Sequence, residues 1–368
     1  MSRLFFCWSF PSAFFRYGQT TPHFRILELI VITSIKEKLD FSHIQLNPRV
    51  YPLADGETPP FSRSEINLLV DDRIPIIVAN MDHIGTLDIA RIVSPMGLMV
   101  AILKETTTEE WKRALGDGVV APNRVIPTVG LRDLEYGLAR VSAIKSAHPG
   151  VDLVCLDAAN GYLHAAADAV KRIKDVLPGM RVIAGNVVEE EGFYHLANAG
   201  ADIIKVGIGS GSVCLTRKMT GVGCPQFSAI MDLYPHAKNL GVELISDGGM
   251  TNPGDAMKAF AAGASFVMSG GYFAGHHETG AHFHGMSSHG SRLHRGQAKE
   301  SYRASEGREV VLENRGHLAD TVQELLGGLN SSCMYLGVRN LGDVRHAKLT
   351  ANRVYQQLNR VEGIKHER

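Results

Sequence analysis

The sequence is short of the features that would mark a chain as membrane-spanning, polyanion-binding or disulfide-stapled. Its 38 basic side chains are matched by 38 acidic ones, so it lacks the clustered positive field that a nucleic-acid partner requires. No charge-free apolar run reaches the roughly 18 residues of a spanning helix. The five cysteines, Cys7, Cys155, Cys214, Cys224 and Cys333, are scattered, odd in number and without a CxxC pair. They therefore specify neither a zinc framework nor a disulfide scaffold, and fit the reduced thiols of a cytoplasmic protein. Aromatics are sparse at 7%. No GxGxxG opens a first βα unit, which argues against an open dinucleotide-binding sheet. What the chain has in surplus is glycine, 38 residues, above the usual ~7%, so many tight turns are expected.

The N-terminal segment Met1 to Leu27 carries Arg3, Arg16 and Arg25 and no acid, with Phe5, Phe6, Trp8, Phe10, Phe14 and Phe15 between them. That composition is targeting-like, but an uninterrupted apolar stretch and a small-residue cleavage site are missing. Residues 1–37 are read as an extension, 38–357 as the folded domain and 358–368 as a tail.

Within the domain, short runs rich in Val and Ile, each ended by Gly, Asn or Asp, have the pattern of buried parallel strands. They are Ile74 to Met81, Leu98 to Lys104, Arg124 to Gly130, Asp152 to Asn160, Arg181 to Val187, Asp202 to Gly209, Glu243 to Gly249 and Ser265 to Gly271. Between them lie helical patterns such as LRDLEYGLARVSAIKSAH and HAAADAVKRIKDVLP, and Asn252-Pro253 offers an N-cap with proline at the first helical position. Eight such units predict a single-domain (β/α)8 TIM barrel, with an open doubly wound sheet as the runner-up.

Function in such a barrel sits at the C-terminal strand ends, which here turn polar and glycine-rich: Asn80 to Asp82, Lys104-Glu105, Asp157 to Asn160, Gly185-Asn186, Gly207 to Cys214, Asp247 to Gly249 and Gly270-Gly271. SDGG and SGG follow strands seven and eight, where glycine lets backbone N–H groups converge on an anion, so a phosphorylated small molecule is the default ligand. Cys214 lies on the glycine-rich loop after strand six and is a candidate nucleophile, with Thr216 as a possible proton relay. On composition alone a lone cysteine is more often a small buried hydrophobe, and it is the position on a glycine-rich loop at the catalytic face that favours the nucleophile.

With these stretches in view, the chain resembles the IMP dehydrogenase/GMP reductase family. The resemblance rests on VANMD (Val78 to Asp82), CLDAANGY (Cys155 to Tyr162), AGNV (Ala184 to Val187), KVGIGSGSVCLTRKMTGVGCPQ (Lys205 to Gln226), SDGG (Ser246 to Gly249), GMSS (Gly285 to Ser288), YRASEG (Tyr302 to Gly307) and GGLNSSCMY (Gly327 to Tyr335), spanning residues 38 to 357. Dehydrogenases of the family usually insert regulatory CBS modules after the second strand and carry an Arg-Tyr pair in the flap. Here Lys104-Glu105 runs directly into TTTEEWKRAL, and no such pair lies between Ser288 and Tyr302. The resemblance therefore implies the reductase branch, whose members deaminate GMP reductively to IMP with NADPH.

By that resemblance Cys214 attacks purine C2, and Thr216 and Glu306 manage the protons that release ammonia. The nucleotide falls to Ser212, Asp247, Gly248, Gly249, Gly270, Gly271, Gly285, Met286, Ser287 and Arg303, with Asp247 on the ribose. NADPH falls to Lys104, Asp157, Ala158, Ala159, Tyr302, Arg303, Ser305 and Gly307, and, across a subunit boundary, to Ser331, Ser332, Cys333 and Met334. A monovalent cation (K+) falls to Gly209, Gly211, Cys214 and Arg217. The resemblance also implies a homotetramer, a cytoplasmic location, no nucleic-acid or membrane partner, and a flap at about 276–310.

The chain departs from the family pattern at Ser210, Leu215 and Cys224, at Leu103 to Thr106 where HKHY is usual, and at His284 where a tyrosine normally lies near the phosphate. Two alternatives stay open: an IMP dehydrogenase lacking CBS modules, and a purine-nucleotide-binding barrel without turnover. Six histidines between His276 and His294 form a metal candidate or a solvated loop; Arg295, Lys299 and Arg303 add a basic stretch; and Cys224 is a candidate disulfide partner for Cys214 or a passive thiol.

Overall fold

Eight parallel strands close on themselves. The computed structural model describes residues 36–49, 65–158, 160–288, 290–291 and 304–352. In chain order the barrel strands are β2 (Ile76–Val78), β3 (Met99–Ile102), β4 (Val125–Gly130), β5 (Leu153–Asp157), β6 (Arg181–Val187), β7 (Ile203–Val206), β8 (Glu243–Asp247) and β9 (Phe266–Ser269), and β9 pairs back onto β2 to shut the ring. The predicted (β/α)8 barrel is the observed fold, with each of the eight predicted runs supplying one strand. The strands are shorter than the runs because pairing stops where the polar and glycine-rich ends turn into loops.

Along each strand, alternate residues face opposite ways. One set, including Ile77, Met99, Ile126, Leu153, Cys155, Ile183, Ile203, Ile245 and Met268, fills the barrel as a separate apolar cluster. The other set, including Ile76, Val78, Val100, Val129, Val154, Val182, Ile204 and Leu244, joins the larger cluster under the helices.

The helices are α1 (Leu87–Val93), α2 (Thr108–Gly116), α3 (Leu134–Ala147), α4 (His164–Val176), α5 (Glu190–Ala197), the short α6 (Thr216–Thr220) in the loop after β7, α7 (Gln226–Leu240), α8 (Pro253–Ala262) and α9 (Leu318–Leu336). In α4 the buried Ala166, Ala169, Val170 and Ile173 recur at helical spacing and make one apolar stripe. Thr107 and Glu110 form a reciprocal capping box at the start of α2. Asn252 caps α8 by accepting from the Asp255 N–H, with Pro253 at the first turn, as the sequence predicts.

Two small antiparallel sheets complete the domain. β10 (His282–His284) pairs with β11 (Glu309–Val311) beside the barrel mouth, and β1 (Ile44–Leu46) pairs with β12 (Leu349–Ala351). Among the described residues no helix is long and apolar enough to cross a membrane.

Candidate active site

Loops at the C-terminal ends of the strands enclose a cavity of about 940 Å³, near the upper end of the usual size for a ligand site. Its wall brings together residues far apart in the chain. Asp157 and Ala158 come from the end of β5, Gly209, Gly211, Ser212, Cys214 and Thr216 from the loop after β7, and Asp247, Gly248 and Gly249 from the end of β8. Gly270 and Gly271 follow β9, and Gly285, Met286, Ser287 and Glu306 come from the β10–β11 region. Gly248 has φ +85°, and a Cβ there would lie 2.7 Å from Ser210 Oγ and 3.0 Å from the Gly211 nitrogen, so only glycine lets the two loops meet.

Three side chains form a continuous relay. The Cys214 thiol donates to Thr216 Oγ1 at 3.3 Å, and the Thr216 hydroxyl donates to Glu306 Oε2 at 2.7 Å. Backbone pairing sets that geometry. Leu215 N–H donates to Glu306 O at 2.6 Å, Arg308 N–H donates to Val213 O at 2.8 Å, and Cys214 bridges Gly307 antiparallel. A Cβ at Gly307 would lie 2.7 Å from the Ser288 nitrogen and 2.9 Å from Gly285 O, so the seam is closed by a residue with no side chain. A thiol coupled through a hydroxyl to a carboxylate can lose its proton as it attacks and return one to a leaving group.

Two lysines pair with carboxylates of the cavity wall. Lys104 Nζ lies 3.6 Å from Asp157 Oδ2, and Lys205 Nζ lies 3.7 Å from Asp247 Oδ2. Burial alone would lower the Lys205 ammonium, but Cys155, Asp247 and Asp157 outweigh it and hold the pKa above its ordinary value. Burial pushes the neighbouring Cys155 thiol up to about 11, against the opposing pull of Lys205, so this cysteine is a core residue.

Other expected residues stand apart from the cavity wall. The Arg217 guanidinium reaches Asp40 Oδ2 at 3.4 Å and also donates to Cys224 O. Ser305 Oγ donates to Gly307 O at 3.0 Å. The Cys333 side chain is fully buried in α9, and burial pushes its thiol up to about 11. Ser331, Ser332 and Met334 are half-buried on the same helix. Ala159, Tyr302 and Arg303 lie outside the described residues, as do Arg295, Lys299 and the two ends of the chain.

The histidines do separate jobs. Buried His276 bonds Phe273 O at 3.1 Å and Thr321 Oγ1 at 2.7 Å, while His277 bonds Asn314 at 3.0 Å. His284 Nε2 meets Asp82 Oδ2 at 3.0 Å, and the Ser291 hydroxyl donates to the same oxygen at 2.6 Å, tying the turn after β10 to the loop after β2. Among the described residues no group of three or more His, Cys, Asp or Glu is placed to hold a metal ion; His289 and His294 lie outside them. Cys214 and Cys224 are both free thiols, and burial raises Cys224.

Three cavity residues were given no role from the sequence. Lys205 lines the wall, Asn186 Nδ2 donates to Asp247 Oδ2 at 2.9 Å, and Tyr162 OH accepts from the Val188 and Glu189 N–H groups at 3.1 Å each.

Comparison with known proteins agrees with this geometry. The family model for the IMP dehydrogenase / GMP reductase domain matches residues 62–358. A protein of Phytophthora infestans named GMP reductase is 40% identical over 344 residues, covering 89% of this chain and 93% of that one. One of Klebsiella pneumoniae with the same name is 39% identical over 347 residues, 88% and 97% of the two chains. The human protein named GMP reductase 2 is 38% identical over 343 residues, 88% and 96% of the two.

Proposed function

The chain belongs to the IMP dehydrogenase/GMP reductase family, and from that premise we propose that it is a GMP reductase, an oxidoreductase that converts GMP to IMP and ammonia. The observation that carries the reading is the Cys214–Thr216–Glu306 relay on the wall of a nucleotide-sized cavity.

In this reading Cys214 Sγ attacks C2 of the purine, and a C2–S bond forms. The thiol proton passes through Thr216 Oγ1 to Glu306 Oε2. Glu306 then returns a proton by the same hydroxyl to the C2 amino group, which leaves as ammonia. Splitting the displacement of a poor leaving group from the reduction lowers each barrier. NADPH, when bound, supplies the hydride that C2 receives. The C2–S bond then breaks with its electron pair returning to sulfur, and IMP is released. Over the cycle GMP, NADPH and two protons give IMP, NADP+ and an ammonium ion.

The cavity has room for more than the nucleotide. Asp247, Gly248, Gly249, Gly270 and Gly271 offer a carboxylate and backbone amides to the ribose and phosphate, while Asp157 and Ala158, with the Lys104 ammonium behind them, offer a second polar wall to the reduced cofactor. A K+ ion suits the carbonyls of Gly209, Gly211, Cys214 and Arg217, which are hard oxygen donors. Those of Gly211 and Arg217 each accept one backbone N–H and keep a second lone pair. A homotetramer in the cytoplasm completes the reading on family grounds.

Purified protein given GMP and NADPH is expected to consume reduced nicotinamide and form IMP. With IMP and NAD it is expected to form none. Reduction of NAD in the second mixture, with nothing in the first, would establish the dehydrogenase instead; silence in both with tight GMP binding would establish a non-catalytic barrel.

A further inference from the structure

Neither the proton relay nor the glycine loops use Lys205. It lies on β7, where alternation turns Ile203 and Lys205 into the barrel and Ile204 and Val206 toward the helices. Its side chain is 6% exposed, yet it lines the cavity. Its ion-pair partner, Asp247 Oδ2, lies 3.7 Å away, longer than a normal hydrogen bond. An ammonium carries three donors, and one long ion pair leaves donors to spare in a buried setting, where unmatched donors are costly. Such a group on a cavity wall awaits an acceptor that arrives with the ligand.

Asp247 supplies the other half of the arrangement. Asn186 Nδ2 donates to its Oδ2 at 2.9 Å and to Gly207 O at 2.8 Å, which fixes the rotation of the carboxylate. Donor and acceptor thus face the cavity 3.7 Å apart. Both can reach a single oxygen set at about 2.8 Å from each. A carbonyl or phosphate oxygen would suit the ammonium but be repelled by the carboxylate. A hydroxyl satisfies both, donating to one and accepting from the other. Among the groups a nucleoside monophosphate carries at neutral pH, where its phosphate is mostly ionised, the ribose hydroxyls have this property.

We propose that Lys205 reads the ribose: its ammonium donates to the same hydroxyl that donates to Asp247, so the cavity selects ribonucleotides over deoxyribonucleotides. The inference rests on the reading of this cavity as a purine-nucleotide site.

The test is a set of dissociation constants, measured by calorimetry on wild-type protein and on Lys205→Met, for GMP and for its 2′-deoxy and 3′-deoxy analogues. Wild type is expected to bind one of the two analogues about ten- to a hundredfold more weakly than GMP, the range of a charge-assisted hydrogen bond. Lys205→Met is expected to weaken GMP by a similar factor while changing the affinity for that analogue by no more than about threefold. Equal weakening of all three ligands, or unchanged GMP affinity, would overturn the proposal. If the Met variant does not fold, Lys205→Gln is read by the same comparison. Failure of wild type to bind GMP would sink the nucleotide reading itself, whereas the expected pattern of binding without turnover would support the ribose role and sink the reductase.

Discussion

In the proposed mechanism the chemistry turns on Thr216, whose hydroxyl bonds both Cys214 Sγ and Glu306 Oε2. A glutamine at 306 keeps the shape and a hydrogen bond but cannot take a proton. Glu306→Gln is therefore expected to lower kcat by about a hundred- to ten-thousandfold, the usual worth of a positioned acid–base group, with the KM for GMP little changed. Steady-state kinetics check this, and a near-normal kcat would remove Glu306 from the relay. Cys214 and Thr216 are two positions apart and legible together, whereas Glu306 lies 90 residues on, so only the YRASEG resemblance linked it to them. His284 and Asp82, 202 positions apart, gave no signal of their pairing at all.

At the scale of elements, the strands were readable because burial on both faces leaves continuous Val and Ile runs that no solvated segment imitates. Roles within them were less so. Lys205 could have been found by parity, since it shares the inward face with Ile203. Asn186 stood among the polar strand ends, but its bond to Asp247 was not legible, because the register between β6 and β7 shifts between Gly185 and Val187 and breaks the alternation. Both short antiparallel sheets escaped notice, as strands of three residues carry almost no periodicity.

A pH effect belongs at this scale too, where His276 ties the segment after β9 to α9 through Thr321. Burial lowers the His276 pKa below 6.5, and the positive charge of Arg315 acts in the same direction. Below 6.5 the unfolded chain takes up a proton that the folded one resists, so this stabilisation is complete above that pH and is lost as pH falls toward the folded value. The unfolding temperature of wild type is expected to drop on acidification through this window, and to drop less in His276→Gln. Identical pH slopes in calorimetry would contradict that.

For the whole molecule, the closed ring places every strand's C-terminal end at one mouth, which is why Cys214, Asp247 and Asp157 from different units line one cavity. Zero net charge and surplus glycine also make sense together at this scale: a phosphate held by backbone amides needs no basic patch.

The pairing of β1 with β12 carries a consequence for connectivity. Ile44 stands opposite Ala351, and Asn352 N–H donates to His43 O at 2.7 Å, so the domain begins and ends at one place. Its path is close to a circle, and where that circle is cut is a matter of covalent history more than of architecture. A chain opened in the exposed Pro149-Gly150 turn and rejoined from Asn352 to Lys38 by a flexible linker of roughly eight residues is expected to fold and bind GMP with near-native affinity. A permuted chain that is insoluble or fails to bind would show that the order of synthesis, and not only the closed set of contacts, is needed to build the barrel.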